Sequence, residues 1–266
     1  MAPKSPRTLT AVLLAATVLL AGASLGAAAA PGALADSSDH DDASDHDDVD
    51  PQNAAYLSVA HASPDAPAVD VYVDNESVLD DVEFGDVSDY LEVAAGTYNV
   101  TITVADDREA VVFEGNVTAE RGTASTIAAS GEVSENASTA FTPRVYASDA
   151  LTPDEDEAAV RVAHLSPDAP TVDITADDGD VVLAENVSFG NASEYVTVPE
   201  GDYEIEIRAD TPDANGTVVT TVDVSLDSEE AVTAWAVGYL SPDEAPADTP
   251  FRVLTTEDAT RTIELP

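Results

Sequence analysis

Val59-Ala60-His61-Ala62-Ser63-Pro64-Asp65-Ala66-Pro67-Ala68-Val69-Asp70-Val71 returns 103 residues later as Val162-Ala163-His164-Leu165-Ser166-Pro167-Asp168-Ala169-Pro170-Thr171-Val172-Asp173-Ile174. Downstream, Phe84-Gly85-Asp86-Val87-Ser88-Asp89-Tyr90 matches Phe189-Gly190-Asn191-Ala192-Ser193-Glu194-Tyr195 at an offset of 105, and Ala95-Gly96-Thr97-Tyr98 matches Glu200-Gly201-Asp202-Tyr203 at the same offset. A surface turn absorbs the two extra residues. So long a period is that of a whole small domain and is too long for a solenoid unit. The repeat therefore predicts two homologous domains, 52–150 and 157–266, joined by an acidic linker at 151–156.

Each copy reads as all-β. Val69-Asp70-Val71-Tyr72-Val73-Asp74 alternates apolar and polar residues, as do Tyr98–Val104 and Tyr203–Arg208. Turn signals at 63–67, 95–97, 106–107, 121–122 and 212–216 separate these runs. About seven short strands per copy suit an antiparallel β-sandwich of immunoglobulin-like type. Trp235 reads as a core residue of a late strand. Tyr98 and Tyr203, each in a Gly-x-Tyr step, read as inward rings whose hydroxyls bond to nearby backbone.

The 266 residues carry 53 Asp plus Glu against 9 Lys plus Arg, a formal charge of −44, with no Cys. A nucleic acid of like charge would repel such a chain. Without Cys there is no disulfide framework, Cys-ligated metal, cysteine nucleophile or lipid-modified N-terminal cysteine. Lys4 and Arg7 form a basic start, Leu9–Leu25 is apolar, and Ala33-Leu34-Ala35 is a small-residue exit. These features predict a signal peptide at 1–35, cut between Ala35 and Asp36 on the general secretory route; an uncleaved anchor is the alternative. No later segment is apolar enough to span a membrane. The mature chain then keeps seven Arg and no Lys against all 53 acids. At about 1 M salt the Debye length falls to about 3 Å and the self-repulsion is screened. The balance fits an extracellular or cell-surface protein of haloarchaeal type. Residues 36–51 hold Ser38-Asp39-His40-Asp41-Asp42 and its repeat Ser44-Asp45-His46-Asp47-Asp48. They are expected to be a disordered spacer that condenses solvent cations without a specific metal site.

The blocks V-x-H-x-S-P-D-A-P-x-V-D, F-G-x-x-S-x-Y and G-x-Y resemble the domain-of-unknown-function family 4397, found in secreted bacterial and archaeal proteins. His61, Ser63, Pro64, Asp65, Pro67 and Asp70 carry the resemblance in the first copy, and His164, Ser166, Pro167, Asp168, Pro170 and Asp173 in the second. It covers most of residues 55–255 and implies no catalytic or ligand residue. From the residues themselves, the prolines stiffen the chain and Asp65 caps the turn. His61, close to Asp70 across that turn, is expected to brace it by bonding a carboxylate or a carbonyl. A metal-binding or catalytic histidine is the alternative, but no Ser-His-Asp order or second His accompanies it within a copy.

Carboxylates are too numerous for any pair to stand out as acid and base. No Gly-rich phosphate loop, Gly-x-Ser-x-Gly elbow or His-Glu-x-x-His occurs. No catalytic residue, cofactor or metal is therefore assigned. Seven of the eight asparagines open Asn-x-Ser/Thr: Asn75, Asn99, Asn116, Asn136, Asn186, Asn191 and Asn215. They are candidate N-glycosylation sites of an exported protein, and Asn99, next to Tyr98, is expected to point outward. The expected function is that of a non-catalytic structural or interaction protein contacting envelope proteins or glycans. The alternative is a carbohydrate- or calcium-binding module using Asp106-Asp107, or Asp177-Asp178 with Asp180; the latter group reads first as a solvated hairpin turn.

Overall fold

The computed structural model describes Val49 and residues 51–135, 137–148 and 150–261. The expected signal segment with its expected cut between Ala35 and Asp36, most of the expected acidic spacer, and Asn136 lie outside the described residues. The first copy contains β1 (Ala54–His61), β2 (Val69–Val73), β3 (Glu76–Val82), β4 (Leu91–Ala94), β5 (Gly96–Val104), β6 (Asp107–Ala119), β7 (Ala124–Ser130) and β8 (Thr142–Ser148). After a short β9 (Ala150–Leu151) come β10 (Glu157–Leu165), β11 (Val172–Ala176), β12 (Val181–Val187), β13 (Val196–Pro199), β14 (Gly201–Ala209), β15 (Val218–Leu226), β16 (Ala231–Val237), β17 (Arg252–Glu257) and β18 (Thr260–Arg261).

The fold is all-β. Each copy is a sandwich of two four-stranded sheets, ordered β4-β1-β7-β8 and β3-β2-β5-β6 in the first and β13-β10-β16-β17 and β12-β11-β14-β15 in the second. Among the described residues each copy thus has eight strands in its two sheets, one more than the alternation suggested. Pairing is antiparallel except between β1 and β7, β10 and β16, and β9 and β18. The alternation at 69–73 sends Val69 and Val71 into a core with Val100, Ile102 and Ile127. Ile174, Ile205 and Ile207 build the equivalent core in the second copy.

Strands β7 and β16 of the inner sheets are buried at every position. The cause is an apolar layer between the copies. Ala60, Ala62, Ala128 and Tyr146 of the first meet Ala163, Leu165, Trp235 and Val237 of the second. Small side chains on the inner sheets let the sandwiches approach, and Trp235 fills the middle with Tyr146 edge-on at 5.3 Å. Trp235 is buried as expected, but between the copies and not inside its own sandwich. Among the described residues no helix is long and apolar enough to cross a membrane.

The copies meet about a pseudo-two-fold axis. Arg252 of the second stacks on Phe84 of the first at 4.7 Å, and Arg144 of the first stacks on Phe189 of the second at 5.2 Å. The two arginines come from the equivalent strands β8 and β17 but two positions apart in register, so the contact is isologous at the level of elements and not residue by residue. Glu132 and Tyr239, which follow the equivalent Gly131 and Gly238, bond to one another through the Tyr239 hydroxyl at 3.0 Å. Counterparts that touch lie on the axis.

Candidate functional site

His61 ends β1 with its ring buried. Nδ1 accepts the Ser63 N–H at 3.4 Å, so Nε2 carries the proton and donates it to the Pro67 carbonyl at 3.0 Å. His164 does the same with Ser166 and Pro170, at 3.4 and 2.9 Å. Burial lowers the pKa of both imidazoles, against the opposing pull of the proline carbonyls. Of the two partners expected for His61, the carbonyl is the one it takes. Asp70 instead accepts the N–H groups of Asp81 and Asp106 at 2.9 and 3.2 Å, and Asp173 accepts those of Asn186 and Thr211 at 2.9 and 2.8 Å.

Asp65 does not cap its own turn. That turn would need an N–H two residues on, and Pro67 has none. The carboxylate reaches the loop after β7 instead, accepting the Val133 and Ser134 N–H groups at 2.9 and 3.0 Å and the Ser134 hydroxyl at 2.6 Å. Asp168, followed by Pro170, accepts the Leu240 and Ser241 N–H groups, both at 2.8 Å. The Ser63 and Ser166 hydroxyls donate to the Gly131 and Gly238 carbonyls, both at 2.6 Å. The block is a clamp on three loops. Pro64 extends it across the axis, its carbonyl accepting the Thr249 hydroxyl at 2.8 Å.

The second block joins the copies. Phe84 lies edge-on to His61 at 6.3 Å and its carbonyl accepts from Arg252 at 2.6 Å. Gly85 and Gly190 hold left-handed φ values of 89° and 84°, and a β-carbon on either would overlap the guanidinium of Arg252 or Arg144. The Tyr98 and Tyr203 hydroxyls reach the Ala94 and Pro199 carbonyls at 2.5 and 2.7 Å, as expected, with rings that are half-buried.

Tyr90 and Tyr195 converge between the copies on Asp258. The Tyr195 hydroxyl donates to Oδ2 at 2.8 Å, Thr233 donates to the same oxygen, and Ser148 donates to Oδ1 at 3.1 Å. Tyr90 donates to Ser148 at 2.8 Å. Burial and the Asp258 charge push the Tyr195 hydroxyl well above its ordinary pKa. Arg161 is 5 % exposed inside this cluster. Its Nε donates to Thr233 at 2.7 Å and its Nη1 to the Ala147 carbonyl at 2.6 Å. The Tyr195 ring lies 4.6 Å from the guanidinium and Asp258 supplies the countercharge at 3.8 Å. A cavity of about 430 Å³ opens beside Ser58, walled by Tyr90 and Thr126 of the first copy and by Thr256, Glu257 and Asp258 of the second.

The model of the family described as Domain of unknown function (DUF4397) matches residues 55–175 and again 158–264. The chain belongs to this family. No protein among the curated sequences matches it. Among solved structures the chain is similar to the Bacillus anthracis TIE protein, at 9 % identity and TM-score 0.23, over 70 % of this chain and 34 % of that one. It is also similar to a leucine-rich repeat protein from Bacteroides thetaiotaomicron, at 13 % identity and TM-score 0.19, over 71 % and 26 % of the two chains. The chain spans about a third or less of either, and likeness at these TM-scores carries no functional argument.

In this DUF4397 pair the His-x-Ser-Pro-Asp-Ala-Pro core is the loop clamp and Phe-Gly-x-x-Ser-x-Tyr the joint. The acidic loops are turns: Asp106 has φ 63° between β5 and β6, and Asp177, Asp178 and Gly179 have φ 54°, 59° and 89° between β11 and β12. Among the described residues no three His, Asp or Glu side chains come together to hold an ion. Asn75, Asn116, Asn186, Asn191 and Asn215 are exposed. Asn99 lies on the outward face as expected, half-buried, and pairs directly with the exposed Asn116 across β5 and β6. Cross-strand neighbours stand about 5 Å apart, too close for two glycans. Sequence reasoning missed Arg144, Arg161 and Arg252. Their signal was scarcity: three of the seven arginines after residue 35 lie between the copies.

Proposed function

We propose that this DUF4397 pair is a secreted or cell-surface, non-catalytic structural and interaction protein adapted to high salt, in contact with envelope proteins or glycans. One observation carries the reading: the histidine, serine and aspartates of the repeated block, His61, Ser63, Asp65 and Asp70 with their counterparts, are engaged by backbone. The Ser63 hydroxyl donates to the Gly131 carbonyl while His61 takes the Ser63 N–H, so serine and imidazole do not form a nucleophile and base. The acidic composition and the exposed sequons support the setting. A binding role has an observation of its own, the cavity beside Ser58.

Fractionation of a halophilic expression host, followed by mass spectrometry, tests the setting. The expected product lies outside the cell, begins at Asp36, and carries a glycan on at least one sequon but never on Asn99 and Asn116 together. A full-length chain retained in the cytosol overturns the reading.

A further inference from the structure

We propose that the cavity beside Ser58 receives a guanidinium group, that of an arginine side chain carried by a polypeptide partner. The chain contains its own precedent. Ser58 and Arg161 each stand immediately before the repeated Val-Ala-His, and Ser58 pairs with Thr126 on β7 as Arg161 pairs with Thr233 on β16. Tyr90 and Tyr195 are counterparts in the second block. In the second copy the frame of Thr233, Tyr195 and the facing strand is filled from within: the Arg161 guanidinium lies on the ring, donates to the threonine hydroxyl and the facing carbonyl, and has Asp258 as its countercharge. In the first copy Thr126 and Tyr90 hold the same places and Glu257 faces them as Ala147 faces Arg161, while Ser148 stands where the second copy has Asp258. Ser58 ends at a hydroxyl turned to the Ser88 carbonyl at 2.8 Å, and the cavity is the volume left. A planar fork over an aromatic face, with a hydroxyl acceptor and a carboxylate, is guanidinium chemistry.

The open frame is acidic. Asp89 and Glu257 join Asp258 on its wall, and none of the wall residues is basic. Asp258 is already shared with Arg161, so an incoming cation relies on Asp89 and Glu257, both exposed at the mouth. A volume of about 430 Å³ exceeds a guanidinium alone and admits its aliphatic stem; it falls within the range of about 300–1,000 Å³ usual for small-molecule sites. Two carboxylates at the mouth repel the α-carboxylate of a free amino acid, which favours an arginine within a chain. Only this choice of source rests on the interaction-protein reading.

Calorimetric titration of the purified protein in molar salt tests the site, using N-acetyl-arginine methylamide, the corresponding lysine compound and free arginine. Saturable binding of the capped arginine is expected, with affinities about tenfold lower for the other two. Ser58→Arg should abolish binding, because its side chain fills the cavity as Arg161 fills the second frame. Glu257→Gln, at an exposed position, should weaken binding several-fold with the melting temperature unchanged, and it carries the test if Ser58→Arg does not fold. The site is overturned by no saturable binding of the capped arginine, by equal binding of the lysine compound, or by undiminished binding to a folded Ser58→Arg variant. Free arginine binding as tightly as the capped compound overturns the chain-borne source. A chain retained in the cytosol would overturn the export reading and leave the titration result standing.

Discussion

His61 and His164 are the residues whose chemistry the fold constrains most. Each is neutral, with Nδ1 accepting and Nε2 donating to the turn that follows, and burial lowers both from the ordinary 6.5. Below pH 6.5 the unfolded chain takes up protons that the folded imidazoles refuse. The unfolded state then binds more protons, so stability falls with pH until the folded rings protonate too. Above that range the contribution of these groups is fully present. Denaturant midpoints measured from neutral pH downward should show this loss beginning near the unperturbed histidine pKa. The double variant His61→Gln, His164→Gln should melt lower at neutral pH and lose that part of the slope; an unchanged slope would count against burial as the cause. Loss of a binding activity at unchanged stability would instead make these histidines functional.

At the scale of elements, β7 and β16 decide how the copies meet. Ala128 is fully buried where β7 faces the other copy, and there is no room there for a longer side chain. Ala128→Leu should cost about 1–3 kcal/mol by overpacking, read as a lower denaturation midpoint with β-sheet circular dichroism retained; a neutral effect would mean that the layer is loosely packed. Strands of the outer sheets were legible from sequence alternation, as at Val69–Val73, although the polar Asp70 in that run is itself buried and serves to hold two loops. Ala124–Ser130 and Ala231–Val237 are buried on both faces and have no period to read, so the layer between the copies stayed hidden. The clamp was legible as a structural block from its prolines. Its reach was not, because the partners of Asp65 and Asp168 lie 68 to 73 residues away. The Ser58 and Arg161 mismatch stands just upstream of the repeated block and became meaningful only once the frames around it were visible.

For the whole molecule, a charge of −44 over 266 residues sets the response to solvent. Raising NaCl from dilute buffer to the molar range should raise the melting temperature continuously as the Debye length shrinks from about 10 Å at 0.1 M to about 3 Å at 1 M; a flat curve would show that the acids do not strain the fold. The contact between Glu132 and Tyr239 carries a further consequence, one of ancestry. On the axis of a true homodimer every residue meets its own copy, so glutamate would face glutamate and tyrosine would face tyrosine. Once two copies are fused in one gene product, each side can change alone, and here one has kept a carboxylate and the other a phenol that answers it. Divergence has made the halves complementary and no longer interchangeable: neither can rebuild this joint with a second copy of itself.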